Sequence, residues 1–130
     1  MSFALDNKFG KEQEEKYFET IKTFFNDNIK TTSKYCRYDF EGETSRYELK
    51  SRNVRYSHFE TTLIPYDKIK DDKKLIFLFN FTDGLYYIEY NKEKFKSFKL
   101  DYFKRITRSD FNDKCKLYYF IPIEQLNKIC

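Results

Sequence analysis

The run Leu75-Ile76-Phe77-Leu78-Phe79-Asn80-Phe81 leaves this chain the fewest choices. A strand with one solvated face alternates apolar and polar residues. This one is apolar on both faces, the pattern of a buried strand in the middle of a sheet. Thr82-Asp83-Gly84 then turns the chain into a second arm, Leu85 to Tyr90. Upstream, Lys8 to about Asn28 reads as a helix, because Phe18, Ile21 and Phe25, joined by Tyr17 and Phe24, recur at i, i+3, i+4 and i+7. Residues 53–74 read as a loop with a short helix and then a turn, and Asn91 to Phe103 as irregular or helical. Leu117 to Ile121 is a last strand, and Pro122 opens a short terminal helix at its first position. Helix, strands, short helix, strands and helix in that order predict a mixed α/β (α+β) fold. At 130 residues the expectation is one domain.

Aromatic residues make up 21% of the chain, with 15 Phe and 12 Tyr, so the core is expected to be aromatic and Ile/Leu-rich. No apolar run approaches the length of a membrane span, so no membrane partner is expected. The start, MSFALDNKFG, has neither the basic residues nor the apolar stretch of a secretion signal. Cys36, Cys115 and Cys130 are odd in number, far apart and free of C-x-x-C spacing. They predict reduced thiols in an intracellular protein that is not secreted, and neither a zinc site nor a disulfide framework. A formal net charge of +4 permits an anionic partner without requiring one.

The chemistry concentrates in YDFEGETSRYELKSRN, residues 38–53. Tyr35 to Phe40 and Ser45 to Arg52 read as two strands around Glu41-Gly42-Glu43-Thr44. The pattern acid-x-Lys occurs five times in the chain, so by itself it selects nothing. The copy at 48–50 stands out because it lies in a strand. There Glu48 and Lys50 share one face while Tyr47 and Leu49 share the other. With Gly42-Glu43 as a two-residue turn, Asp39 faces Arg46 and so joins the face of Glu48 and Lys50. A loop one residue longer or shorter would move Asp39 to the opposite face.

Two carboxylates on one face can hold a hard divalent cation, with the backbone carbonyl of Leu49 as a further oxygen ligand. Lys50 would stand beside a water or a phosphate at that ion. Glu14 extends the apolar stripe of the helix one turn backward, where it can complete or orient the ligand set. The alternative is plain ion pairing on a solvated sheet, with Arg37, Arg46, Lys50 and Arg52 neutralising the acids; such exposed pairs contribute about 0–1 kcal/mol. Glu14 reads equally as a solvated first-turn residue favoured by the helix dipole.

These residues resemble the PD-(D/E)XK nuclease superfamily: an acid, a gap, acid-x-Lys on the neighbouring strand, and a preceding helix that often carries a Glu. Here they are Asp39, an eight-residue gap, Glu48-Leu49-Lys50, and Glu14. The stretches ELKSRN, TTLIPYDKI, LIFLFNFTDGLYYIEY and KLYYFIPIEQLNKI look like small members from phages and large DNA viruses. The likeness runs from about Phe9 to Ile129. Tyr38 stands where the superfamily has its proline. The resemblance implies a restriction-endonuclease-like central mixed β-sheet flanked by helices, and a Mg²⁺-dependent (or Mn²⁺-dependent) hydrolase acting on DNA. Asp39 and Glu48 would be metal ligands, Lys50 the catalytic lysine and Glu14 the helix acid. For a viral protein the location would be the cytoplasm or nucleus of the host cell.

Phosphate contacts need cations around the acids. Candidates are Arg52, Arg55, Lys68, Arg105 and Arg108, although Lys68 belongs to a charged run that equally suits a solvated face, and Arg105 and Arg108 could equally hold a loop by ion pairs. His58 is the single histidine, and Thr61 and Thr62 form a polar pair with no step assigned to them. Tyr86, Tyr87, Tyr118 and Tyr119 suit either a core or base stacking. The expected activity is a DNA endonuclease, in its narrower form selective for junctions or flaps. Cutting two strands would make a homodimer. The competing reading is a non-catalytic nucleic-acid-binding or virion-associated protein that retains the nuclease fold.

Overall fold

The computed structural model describes residues 3–32, 38–69, 74–103 and 116–130. Helix α1 spans Phe3–Phe25. It ends where Asn26 takes a left-handed conformation (φ 49°), one that Asn tolerates and that stops a helix. The strands are β1 (Lys30–Thr31), β2 (Phe40–Glu41), β3 (Ser45–Ser51), β4 (Thr61–Pro65), β5 (Lys74–Phe81), β6 (Gly84–Glu89), β7 (Lys99–Phe103), β8 (Lys116–Pro122) and β9 (Asn127–Lys128). A short helix α2 covers Lys92–Lys96, with Asn91 accepting from the Lys94 N–H as its N-cap.

Six strands form a mixed sheet in the order β1-β2-β3-β5-β6-β9, in which β3 and β5 run parallel and every other neighbouring pair is antiparallel. The apolar run at 75–81 is β5, and it lies inside that sheet between β3 and β6. Its alternate residues feed two cores. Ile76 and Leu78 join Tyr47, Leu49 and Leu85 under α1, where Ile21 is fully buried and Tyr17, Phe18 and Phe25 pack alongside. Leu75, Phe77, Phe79 and Phe81 face the other way, against Ile64, Ile121 and Phe95.

The second face is closed by a three-stranded antiparallel sheet, β4-β8-β7, so the expected layer of helices stands on one side only. The sequence expectation placed a loop and short helix over 53–74. In fact β4 lies there, followed by a 3-10 turn at Tyr66–Lys68. Asn91 to Phe103 is α2 followed by strand β7. The expected terminal helix after Pro122 is one 3-10 turn, Ile123–Gln125, and then β9, whose pairing with β6 turns this stretch back to sheet. No helix among the described residues is long and apolar enough to cross a membrane.

Candidate active site

The hairpin differs from its expected register by two residues. Phe40 pairs with Tyr47 and Glu41 with Arg46, and the Gly42 N–H reaches the Ser45 carbonyl at 2.8 Å. The turn is therefore Glu43-Thr44, not Gly42-Glu43. Asp39 stands opposite Glu48 rather than Arg46. Because the shift is an even number, Asp39 keeps the face of Glu48. The ladder slides because Gly42 is needed elsewhere: a Cβ on it would lie 1.9 Å from Asp27 Oδ2. Asp27, just beyond α1, accepts from the Tyr47 hydroxyl at 2.8 Å and from the Glu43 N–H at 3.0 Å. The hairpin is thus docked on the end of the helix. Arg46 pairs with Glu41 at 3.3 Å, leaving the central acids to other partners.

Asp39 is where β2 stops following β3. Its N–H donates to the Tyr47 carbonyl at 3.0 Å, and its carboxylate takes the Leu49 N–H at 2.7 Å. That N–H would otherwise have gone to a further residue of β2. In an extended strand the N–H and C=O of one residue point to the same side. The Leu49 carbonyl therefore points to the same open edge as the Asp39 carboxylate. The two expected oxygen donors meet there.

Glu48 projects on the face of the sheet away from α1, level with Phe77 in the parallel ladder, and Lys50 follows level with Phe79. Glu48 is only 5% exposed. Lys50 Nζ lies 3.5 Å from its Oε1 and Lys68 Nζ 3.1 Å from its Oε2, yet Oε2 is buried without an aligned hydrogen bond. Burial pushes Glu48 up to about 7, more strongly than the ammonium of Lys50 pulls it down, and the neighbouring Asp39 charge adds to the rise. Asp39 rises to about 6, first through burial and then through its hydrogen bond to Glu14, against the opposing Leu49 N–H. Burial also lowers Lys50. Asp39 is thus electrostatically coupled to both Glu14 on α1 and Glu48 on β3. Carboxyl groups this close need either a shared proton or a cation between them.

Among the described residues, no three His, Cys, Asp or Glu side chains converge on a common centre as a ready-made metal cage. A two-carboxylate Mg²⁺ site does not require one, since backbone carbonyls and waters fill the remaining positions. The buried Glu48 carboxylate, the adjacent Asp39 carboxylate and the edge-pointing Leu49 carbonyl fit such an ion.

No family model, curated protein or solved structure matches the chain. What the site can do therefore rests on its own geometry.

The expected phosphate contacts divide. Lys68 enters the site itself, held there by Tyr38, whose buried ring donates its hydroxyl to the Lys68 carbonyl at 2.7 Å. Tyr38 thus anchors Lys68, a role that its sequence neighbourhood does not reveal. Arg52 donates to the Leu63 carbonyl at 2.8 Å and lies over the Phe79 ring, tying β3 to β4. Arg55 is exposed. Arg105 and Arg108, like Arg37, Cys36 and Cys115, lie outside the described residues. Cys130 is a free, exposed thiol. His58 is exposed and edge-on to Phe59. Tyr86 and Tyr118 are buried, while Tyr87 and Tyr119 pack half-buried against the two cores.

Proposed function

We propose that this chain is a metal-dependent nuclease of the PD-(D/E)XK kind, hydrolysing phosphodiester bonds in DNA. The observation that carries this reading is the Asp39 carboxylate, held by the Leu49 N–H at 2.7 Å, standing opposite buried Glu48, with Lys50 3.5 Å from Glu48. Asp39, Glu48 and the Leu49 carbonyl would hold the divalent ion. When bound, Mg²⁺ supplies a Lewis acid for a phosphoryl oxygen and makes water a better nucleophile near neutral pH. Lys50 sets a cation beside the acids, where it can orient a phosphate and stabilise negative charge building on it. Burial lowers its proton affinity from the ordinary lysine value. Glu14 orients Asp39 from the helix, and Lys68 holds the far oxygen of Glu48. Burial of the cluster strengthens each of these interactions relative to a solvated surface.

One observation favours a second reading. Two ammonium groups already lie beside Glu48, so the cluster can stand as a buried ion network with no ion added. Calorimetry with Mn²⁺ and cleavage assays on linear, single-stranded and branched DNA separate the two. The nuclease reading expects binding and cleavage in the wild type and loss of both in Glu48→Gln and Asp39→Asn. Heat-stable variants that cleave like the wild type would sink it, and an absence of metal binding even with DNA present would favour the ion network.

A further inference from the structure

A cavity of about 440 Å³ opens immediately beside the acids, between the C-terminal end of β3 and strand β4. That volume is in the range of pockets that take small ligands, about 300–1,000 Å³. Lys50 belongs to both places: its ammonium pairs with Glu48, and the residue forms part of the cavity wall. Three lining residues are cationic, Lys50, Arg52 and Arg55, and none is acidic. An anion is therefore the favoured occupant.

The rest of the lining is aromatic and hydroxylic. Tyr56 is fixed before any ligand arrives: its ring stacks on Tyr86 at 4.2 Å and its hydroxyl donates to the Ile123 carbonyl at 2.7 Å. Phe81 and Tyr118 extend this wall inward. At the mouth Phe59 is 60% exposed, the second most exposed of the large apolar side chains among the described residues. Thr61 and Thr62, the polar pair without an assigned step, line the same space. An exposed ring and a fixed aromatic wall in one lining with three cations have the chemistry of a base-stacking platform beside a phosphate clamp.

We propose that this cavity receives one unpaired nucleotide of the nucleic acid. Its base lies against Phe59 and the aromatic wall, and its phosphate lies toward Arg55 and Lys50. The identity of the polymer rests on the nuclease reading above; the pocket adds that the substrate carries an unpaired nucleotide next to the cut. A base paired in a duplex is not available to such a pocket without being extruded first.

The test uses the full chain with Glu48→Gln, in EDTA, so that neither metal nor cleavage contributes to the readout. A short single strand containing 2-aminopurine reports stacking by fluorescence quenching, and a duplex of the same length is the competitor. The expected result is quenching on the single strand and weaker binding of the duplex. Phe59→Ala, at a solvent-exposed position, weakens single-strand binding roughly five- to hundredfold, and Phe59→Tyr retains it. Arg55→Ala lowers the slope of log affinity against log salt by about one. Equal affinity for duplex and single strand without quenching, or Phe59→Ala and Arg55→Ala variants that bind like their parent, would overturn the pocket. Cleavage by the wild type is scored separately. Quenching without cleavage supports the pocket and removes the nuclease; cleavage without quenching does the reverse.

Discussion

Asp39 does two separable things, and its variants separate them. Its carboxylate closes the end of the β2–β3 ladder by taking the Leu49 N–H, and it faces Glu48. Asp39→Asn keeps an acceptor for that N–H and so leaves the metal-free stability within about 0.5 kcal/mol. Asp39→Ala orphans the N–H and costs about 1–2 kcal/mol, read by urea denaturation. On the nuclease reading, both variants should lose Mn²⁺ binding by calorimetry. The pH dependence follows from the raised proton affinities of the pair, Asp39 from 3.8 to about 6 and Glu48 from 4.5 to about 7. A raised acid binds its proton more tightly in the folded than in the unfolded chain. Its contribution to stability is therefore full below the unfolded value and lost as pH rises through the folded one. Metal-free protein should lose on the order of 5 kcal/mol between pH 4 and pH 8, and Glu48→Gln should remove about half of that slope in thermal melts. A melting profile independent of pH over this window would show that the pair does not titrate as described.

At the scale of elements, the site depends on how the hairpin is docked. Gly42 has no unusual backbone angle; it is glycine because Asp27 occupies the space where a Cβ would stand. Gly42→Ala must displace Asp27 from Tyr47 and Glu43, at an expected cost of about 1–3 kcal/mol. Asp27→Ala removes the obstruction, so the double variant should be less destabilised than the sum of the two, a coupling that a double-mutant cycle measures directly. Additive costs would mean that the hairpin does not depend on this contact. The 3-10 turn after β4 is the second device, since it brings Lys68 across to Glu48 with Tyr38 as its anchor.

At the scale of the whole molecule, the central sheet is clamped between α1 and the β4-β8-β7 sheet, and Glu48 is buried on the face turned toward the second sheet. Phe77, fully buried next to Glu48 in the ladder, should cost about 3–5 kcal/mol when cut to Ala. Tyr102→Ala, at a position 67% exposed on β7, should change stability by less than about 0.5 kcal/mol. Divalent ion at a hundred times its dissociation constant should raise stability by about 2.7 kcal/mol at pH 8, and by much less at pH 5, where the carboxyl groups hold their protons. A pH-independent effect of Mg²⁺ would place the ion elsewhere.

Local patterning determined much of this protein. The two-sided apolar run forced β5 into the centre of the sheet, the i, i+3, i+4 stripe made α1 amphipathic, and the period of a strand put Glu48 and Lys50 on one face, since each of these follows from backbone geometry over a few residues. The meeting of Asp39 with Glu48 was legible only as to face, because strand parity survives a two-residue slip while register does not. Four things were decided in three dimensions alone: Asp27 setting the hairpin register, the second sheet replacing a layer of helices, Tyr38 fixing Lys68, and the cavity lined by Thr61, Thr62, Phe59 and Arg55. Each depends on contacts between residues distant in the chain, and these arise when hydrophobic burial brings whole elements together, so no local pattern encodes them.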